Sequence, residues 1–163
     1  MTNFRYQNRA VDRHSALKQV ANNMSMHLEI RPEAGFLHVS ATGKFSLKEA
    51  EQTFLEILEA VILHTTSKVM IDGRKLIGKP ENIERFCYGK FAANSVKAYR
   101  ARGVSPATAF AYVLKEPVLD PQRFGETVAV NRGMLVKAFD NLENAFAWLK
   151  IERTNKPETH DRP

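Results

Sequence analysis

Gly73-Arg74-Lys75-Leu76-Ile77-Gly78-Lys79-Pro80 comes within one residue of the phosphate-binding pattern G-x-x-x-x-G-K-[ST]. In that pattern backbone N–H groups cradle phosphate oxygens, the lysine reaches the outer phosphates and the hydroxyl holds Mg²⁺. Pro80 removes the hydroxyl, and with it one N–H at the expected helix start. No Ser or Thr occurs between Ser67 and Ser95. Phosphorylation, Mg²⁺ ligation and hydroxyl attack therefore have no local residue to supply them. The pattern argues against a nucleotide hydrolase. It leaves a weaker reading, in which Arg74, Lys75 and Lys79 beside a helix N-terminus hold an anion, against a plain solvated basic loop.

The other reactive residue types are dispersed. Asp72 closes the apolar run Val69-Met70-Ile71, where α/β proteins often place chemistry. An aspartate there more often caps its own loop through backbone N–H groups. Arg85, Lys115 and Arg123 complete a candidate ligand-binding set with Asp72, Arg74 and Lys79. Arg123 and Glu126 stand three apart, which also suits an ion pair within one helix. The five histidines show no metal-ligand spacing, although His27, Glu29 and His38 share one outward face of a hairpin and could in principle hold zinc. Cys87 lies among aromatics with no partner cysteine and reads as an inert thiol, with some reactivity left open by Arg85 and Lys90. No G-x-S-x-G, Cys-His or paired-carboxylate arrangement occurs. The residues imply no enzyme, no metal and no cofactor.

The 163 residues fit one domain with a single core, and 44% apolar with 26% charged residues is ordinary for a globular protein. No apolar run approaches the ~18–20 residues of a membrane span, and the first residues do not resemble a secretory signal. With one cysteine, the reading is a reducing compartment, the bacterial-type cytoplasm. The net charge of +6 sits mostly at the ends: residues 1–24 carry Arg5, Arg9, Arg13 and Lys18 against Asp12. A nucleic-acid surface would more often stripe the folded body. The expected organisation is a flexible basic extension over 1–24, a domain over 25–152 and a disordered tail over 153–163.

Period-2 alternation places Met26, Leu28 and Ile30 on one face of a strand and Leu37, Val39 and Ala41 on one face of the next. A turn at Pro32–Gly35 would set Ile30 opposite Leu37 and Glu29 opposite His38. Ser46 with Glu49 reads as a capping box for a helix with Leu47, Ala50, Phe54, Ile57, Leu58, Val61 and Ile62 inward. A strand ends at Asp72, a loop follows, and a second helix runs over about residues 80–100. Residues 107–114 read as a strand, and Asp120-Pro121 as the start of a third helix that stops at Gly133. Residues 135–139 form the last strand, and Asp140 with Glu143 caps the last helix. The order β-β-α-β-α-β-α-β-α implies an α/β fold: a five-stranded, mostly parallel mixed sheet with four helices.

That order resembles the SpoIIAA-like (STAS-type) superfamily, whose best-known members are bacterial anti-sigma-factor antagonists. The residues carrying the resemblance are the Val-Met-Ile-Asp strand end, the segment Asp-Pro-Gln-Arg-Phe-Gly-Glu-Thr-Val-Ala-Val-Asn-Arg-Gly at 120–133, and the closing Val-Lys-Ala-Phe-Asp-Asn-Leu-Glu-Asn-Ala-Phe-Ala-Trp-Leu. It covers roughly residues 25–151 and is nearest to an uncharacterised bacterial branch. In the antagonists a phosphorylated Ser near the start of the second helix turns partner binding off; this chain has no hydroxyl there. The resemblance therefore implies a protein-binding module without a phospho-switch. The second helix carries more apolar surface than one sheet-facing stripe needs, so Phe86, Tyr88, Phe91 and Tyr99 are the candidate interface of a homodimer or a regulatory partner. The alternative is a carrier of a small amphiphilic anion, in a pocket under that helix with Arg74 or Lys79 at its mouth. Neither reading implies nucleic-acid binding or stable membrane insertion.

Overall fold

A computed structural model describes residues 25–152. The expected N-terminal extension and C-terminal tail lie outside the described residues. The strands are β1 (His27–Glu33), β2 (Phe36–Lys44), β3 (Lys68–Ile77), β4 (Ala109–Val113) and β5 (Leu135–Phe139). The helices are α1 (Leu47–His64), α2 (Asn82–Tyr99), α3 (Phe124–Val130) and α4 (Leu142–Leu149), with a 3₁₀ turn at Arg100–Arg102. The strands lie side by side in chain order; β1 and β2 are antiparallel and the remaining pairs parallel. Each parallel crossover steps the same way across the sheet. Right-handed crossovers then put α1, α2 and α3 on one face.

That face holds the larger core. Leu37, Val39, Val69, Ile71 and Phe110 pack under Phe54, Ile57, Leu58 and Val61 of α1 and Ala92, Ala93 and Val96 of α2. On the other face α4 covers β3 to β5, with Ala145 and Leu149 against Met70, Ala111, Val113 and Phe139.

The hairpin differs from the expected one by two residues. Glu33 pairs with Phe36, so the turn is Ala34-Gly35, with Gly35 at φ 83°. A two-residue loop with a residue at positive φ matches the strands' own twist and wins over a longer turn. Ile30 therefore faces Val39, Pro32 faces Leu37, and Arg31, not Glu29, faces His38. Because the slip is an even number, the inward residues stay inward. An Arg31 nitrogen lies 3.0 Å from His38 Nδ1. A guanidinium thus stands where zinc would need a carboxylate.

Helix starts also move. Ser46 Oγ accepts from Glu49 N, but the Glu49 carboxylate accepts from Met26 N, so only half of the capping box forms. Helix α2 begins at Asn82, with Glu84 Oε2 accepting from Glu81 N at 2.8 Å. Asp120 accepts from the backbone N–H groups of Gln122 and Phe124, closing a turn ahead of α3, which begins three residues later than expected. For α4 the cap is Asn141, not Asp140: its backbone is extended just ahead of Leu142 and its side chain accepts from Asn144 N. Gly133, at φ 83°, stops α3 as expected.

Helices α2 and α3 meet through glycines. A Cβ on Gly89 would lie 2.5 Å from the Gly125 carbonyl oxygen and 3.2 Å from Val128. Gly89→Ala raises helix propensity by up to ~1 kcal/mol, yet the atom in its way is backbone and cannot swing aside. Overpacking should win, lowering stability by about 1–3 kcal/mol in chemical denaturation; an unchanged or higher denaturation midpoint would contradict the close crossing.

His38 makes a second expectation. Burial and the neighbouring Arg31 charge hold its pKa below the usual histidine value, against the opposing pull of Asp72, Glu33 and Glu29. The fold thus favours neutral imidazole. The associated stability is complete above the unfolded pKa near 6.5 and is lost as pH falls through the lower folded value. Urea midpoints should fall between pH 8 and pH 5, and His38→Gln should flatten that slope; an equally steep slope in the variant would assign it elsewhere.

Candidate functional site

The strand carrying Asp72 does not end there. Ser40 pairs with Asp72 and Thr42 with Lys75, so β3 accommodates one extra residue at Gly73-Arg74 and pairing continues to Ile77. This bulge converts the expected phosphate-type loop into strand. The cause is β2: its nine residues extend to Lys44 and offer a ladder that the bulge keeps in register. The Asp72 carboxylate takes hydrogen bonds from Arg74 N at 3.2 Å, Nε at 2.9 Å and Nη2 at 2.8 Å. Burial pushes the Asp72 carboxyl up, but the side-chain and backbone bonds from Arg74 outweigh it and hold the pKa below the usual carboxylate range. Arg74 is thereby committed. Its guanidinium pKa is raised, chiefly by the bond to Asp72. The start of α2 already carries the Glu81 and Glu84 carboxylates, which occupy the place an anion would take.

The six candidate ligand residues do not converge. Asp72 and Arg74 pair with each other, and Lys79 and Lys115 are exposed. Only Arg85 and Arg123 reach a common place, a cavity of ≈ 160 Å³ between the sheet and α1, α2 and α3. The expected pocket under the second helix is there, but its charged residues are not Arg74 and Lys79. Arg85 donates to the carbonyls of Pro117 and Val118, both at 2.8 Å. Arg123 sits in the left-handed region at φ 55° and donates to the Asp120 carbonyl. Glu126 accepts from Ala138 N at 2.8 Å, so the expected Arg123–Glu126 pair gives way to two separate backbone contacts. Burial raises the Asp120 carboxyl, but the bonds from Phe124 N and Gln122 N bring its pKa below the usual range.

The cavity walls are mostly apolar: Leu28, Phe45, Ile57, Ile71, Leu114 and Val136 among them. Two phenols enter it. Tyr88 from α2 and Tyr112 from β4 bring their hydroxyls to 2.9 Å, with their rings edge to face. Burial raises both pKa values, that of Tyr88 to about 12, so both hydroxyls stay protonated. Sequence reasoning missed Tyr112, although alternation through Phe110, Tyr112 and Leu114 would have put it on the α2 side of the sheet.

The four residues of the expected interface separate as well. Tyr88 points inward, against Phe54 and Tyr112, and so is a pocket wall. Phe91 packs on the core. Tyr99 donates to Glu59, which also binds Arg102, and the Arg102 guanidinium lies 4.6 Å above the Tyr99 ring. Phe86 stacks on Phe124 at 6.5 Å, and the Arg132 guanidinium lies 5.4 Å from the centre of the Phe86 ring. Much of α2's surplus apolar surface therefore meets α1 and α3. What stays exposed lies at its entry: Ile77 at 57%, Ile83 at 62% and, beside Phe86, Phe124 at 38%.

No helix among the described residues is long and apolar enough to cross a membrane. No protein-family model matches the chain, and no curated protein matches it. Solved structures do. An uncharacterised Shewanella loihica protein of the DUF3478 family, described as having a SpoIIAA-like fold, is 19% identical over 77% of this chain and 94% of its own, with a TM-score of 0.43. An anti-sigma factor antagonist from Mycobacterium paratuberculosis is 15% identical over 77% of this chain and 95% of its own, with a TM-score of 0.50. The five-stranded mixed sheet and its four helices are an α/β fold shared with that antagonist structure.

Proposed function

We propose that this chain is a non-catalytic protein-binding module of the cytoplasm, active without phospho-control, whose first partner is a second copy of itself. The observation that carries the reading is the apolar surface at the entry to α2. Ile83 and Phe86 stand three apart on one helix face, and Phe124 extends that face from α3. Ile77 lies just ahead, at the end of β3. Large apolar side chains gathered on one exposed segment favour burial against another chain.

Two further facts support it. The reactive side chains near Asp72 are consumed in structural bonds, which leaves that segment suited to binding more than to chemistry. The Mycobacterium paratuberculosis protein with the same fold is described as an anti-sigma factor antagonist, a role of binding. With no Ser or Thr between Ser67 and Ser95, this chain binds without a hydroxyl switch at that place. A self-complementary patch around one helix end suits a two-fold dimer.

Ile83→Asp tests the reading cleanly. Ile83 is exposed, and an acid in the first turn of a helix is favourable to it, so the fold should persist. A central interface residue contributes on the order of 2 kcal/mol, which is roughly a thirtyfold weaker dimer. Sedimentation equilibrium should give a dimer for the wild type and mostly monomer for the variant at the same concentration. A monomeric wild type, or a dimer indifferent to Ile83→Asp, would remove the proposed interface.

A further inference from the structure

We propose that the cavity beneath α2 is a binding site for a small, neutral, mainly apolar molecule carrying one hydrogen-bond acceptor, recognised by the Tyr88–Tyr112 hydroxyl pair. This site stands apart from the exposed surface at Ile83 and does not depend on the protein-binding reading.

Size comes first. The cavity of ≈ 160 Å³ is close to the ~150 Å³ of an apolar protein cavity that takes benzene. One ring with a short substituent, or a branched chain of similar bulk, fills it. Water is a poor occupant. A volume of this size holds several waters, each needing two to four polar partners, whereas most of the wall is Leu, Ile, Val, Phe and Ala.

The polar part is specific. Each phenol has one hydrogen to donate. The 2.9 Å contact between the two hydroxyls uses one of them. The second O–H has no further partner among the described residues, and a buried hydroxyl costs free energy until it finds one. A carbonyl or ether oxygen on the occupant supplies it. Burial keeps both phenols protonated through the physiological range, so the donor is always present.

Charge completes the selection. Arg85 and Arg123 line the cavity but spend hydrogen bonds on the carbonyls of Pro117, Val118 and Asp120. The carboxylates of Asp120 and Glu126 line it too and offset them. A carboxylate or phosphate occupant would lose its hydration and meet the two carboxylates as well as the two guanidiniums. A neutral acceptor does not meet that cost.

The test compares two probes of matching shape on the full chain, acetophenone and isopropylbenzene, by isothermal titration calorimetry. Acetophenone should bind about tenfold more tightly, the effect of one hydrogen bond in a dry site. Tyr88→Phe or Tyr112→Phe alone leaves one hydroxyl free to donate and should keep most of the preference. The double variant should abolish or reverse the preference, because the carbonyl then sheds its water with no donor to meet it, with thermal melts confirming that it folds. Should the double variant fail to fold, ¹³C-tyrosine spectra of the wild type decide: acetophenone must shift Tyr88 and Tyr112 signals and leave Tyr99 unmoved. Binding of neither probe overturns the proposal. So do equal affinities in the wild type, a preference that survives in the double variant, or shifts absent from the two tyrosines.

Discussion

Helix α2 is held beside α3 at a distance set by two glycines, and much of the functional geometry depends on that crossing. Gly89 brings the α2 backbone against the Gly125 carbonyl of α3, closer than any side chain would allow. On its other flank Ala92, Ala93 and Val96 meet α1, while Tyr99 and Arg102 fasten its far end to Glu59. Helix-to-helix contacts thus fix α2 from both sides. Small residues at those contacts let the three helices approach one another closely. The cavity that Tyr88 and Tyr112 line lies between those helices and the sheet. Cores ordinarily fill to crystal-like density, so a retained gap with a polar pair inside it is a costly feature for a core to keep.

The bulge at Gly73-Arg74 is the second determinant. It lets β3 follow β2 to its end and removes the loop in which a phosphate pattern would have worked. The same extra residue puts Arg74 where its guanidinium and its N–H both reach Asp72. Charges that looked available in the sequence are thus mutually satisfied in the fold. An anion would then have to compete with a bidentate carboxylate already in place, and at the helix start with Glu81 and Glu84.

Element order, the mixed sheet and the inward faces were legible because they rest on periodicity, which survives small errors of register. The hairpin shows why: a slip of two residues changed every cross-strand partner and left every face correct. What was illegible depends on single contacts. Whether Asp120 caps a helix or a turn, and whether Glu49 reaches Ser46 or Met26, is decided by distances that spacing does not encode. The surplus apolar surface of α2 was legible as a surplus; its division among α1, α3, the cavity and solvent was not. Gly89 and Gly125, thirty-six residues apart in the sequence, carry no mark of their contact.

Tyr88 illustrates how one helix can serve two surfaces without conflict. It stands two residues from Phe86, so the two rings leave the helix in widely different directions. Phe86 turns toward Phe124 and the exposed patch, Tyr88 toward Phe54 and the cavity. Between them Arg85 pins the 117–118 segment through two carbonyls and borders the cavity as well. Because α2 is clamped along its length, an occupant of the cavity must suit a space that already exists. Pre-formed sites lose less free energy to ordering on binding. That rigidity favours selection by shape and by one hydrogen bond over selection by a helix that closes around its ligand.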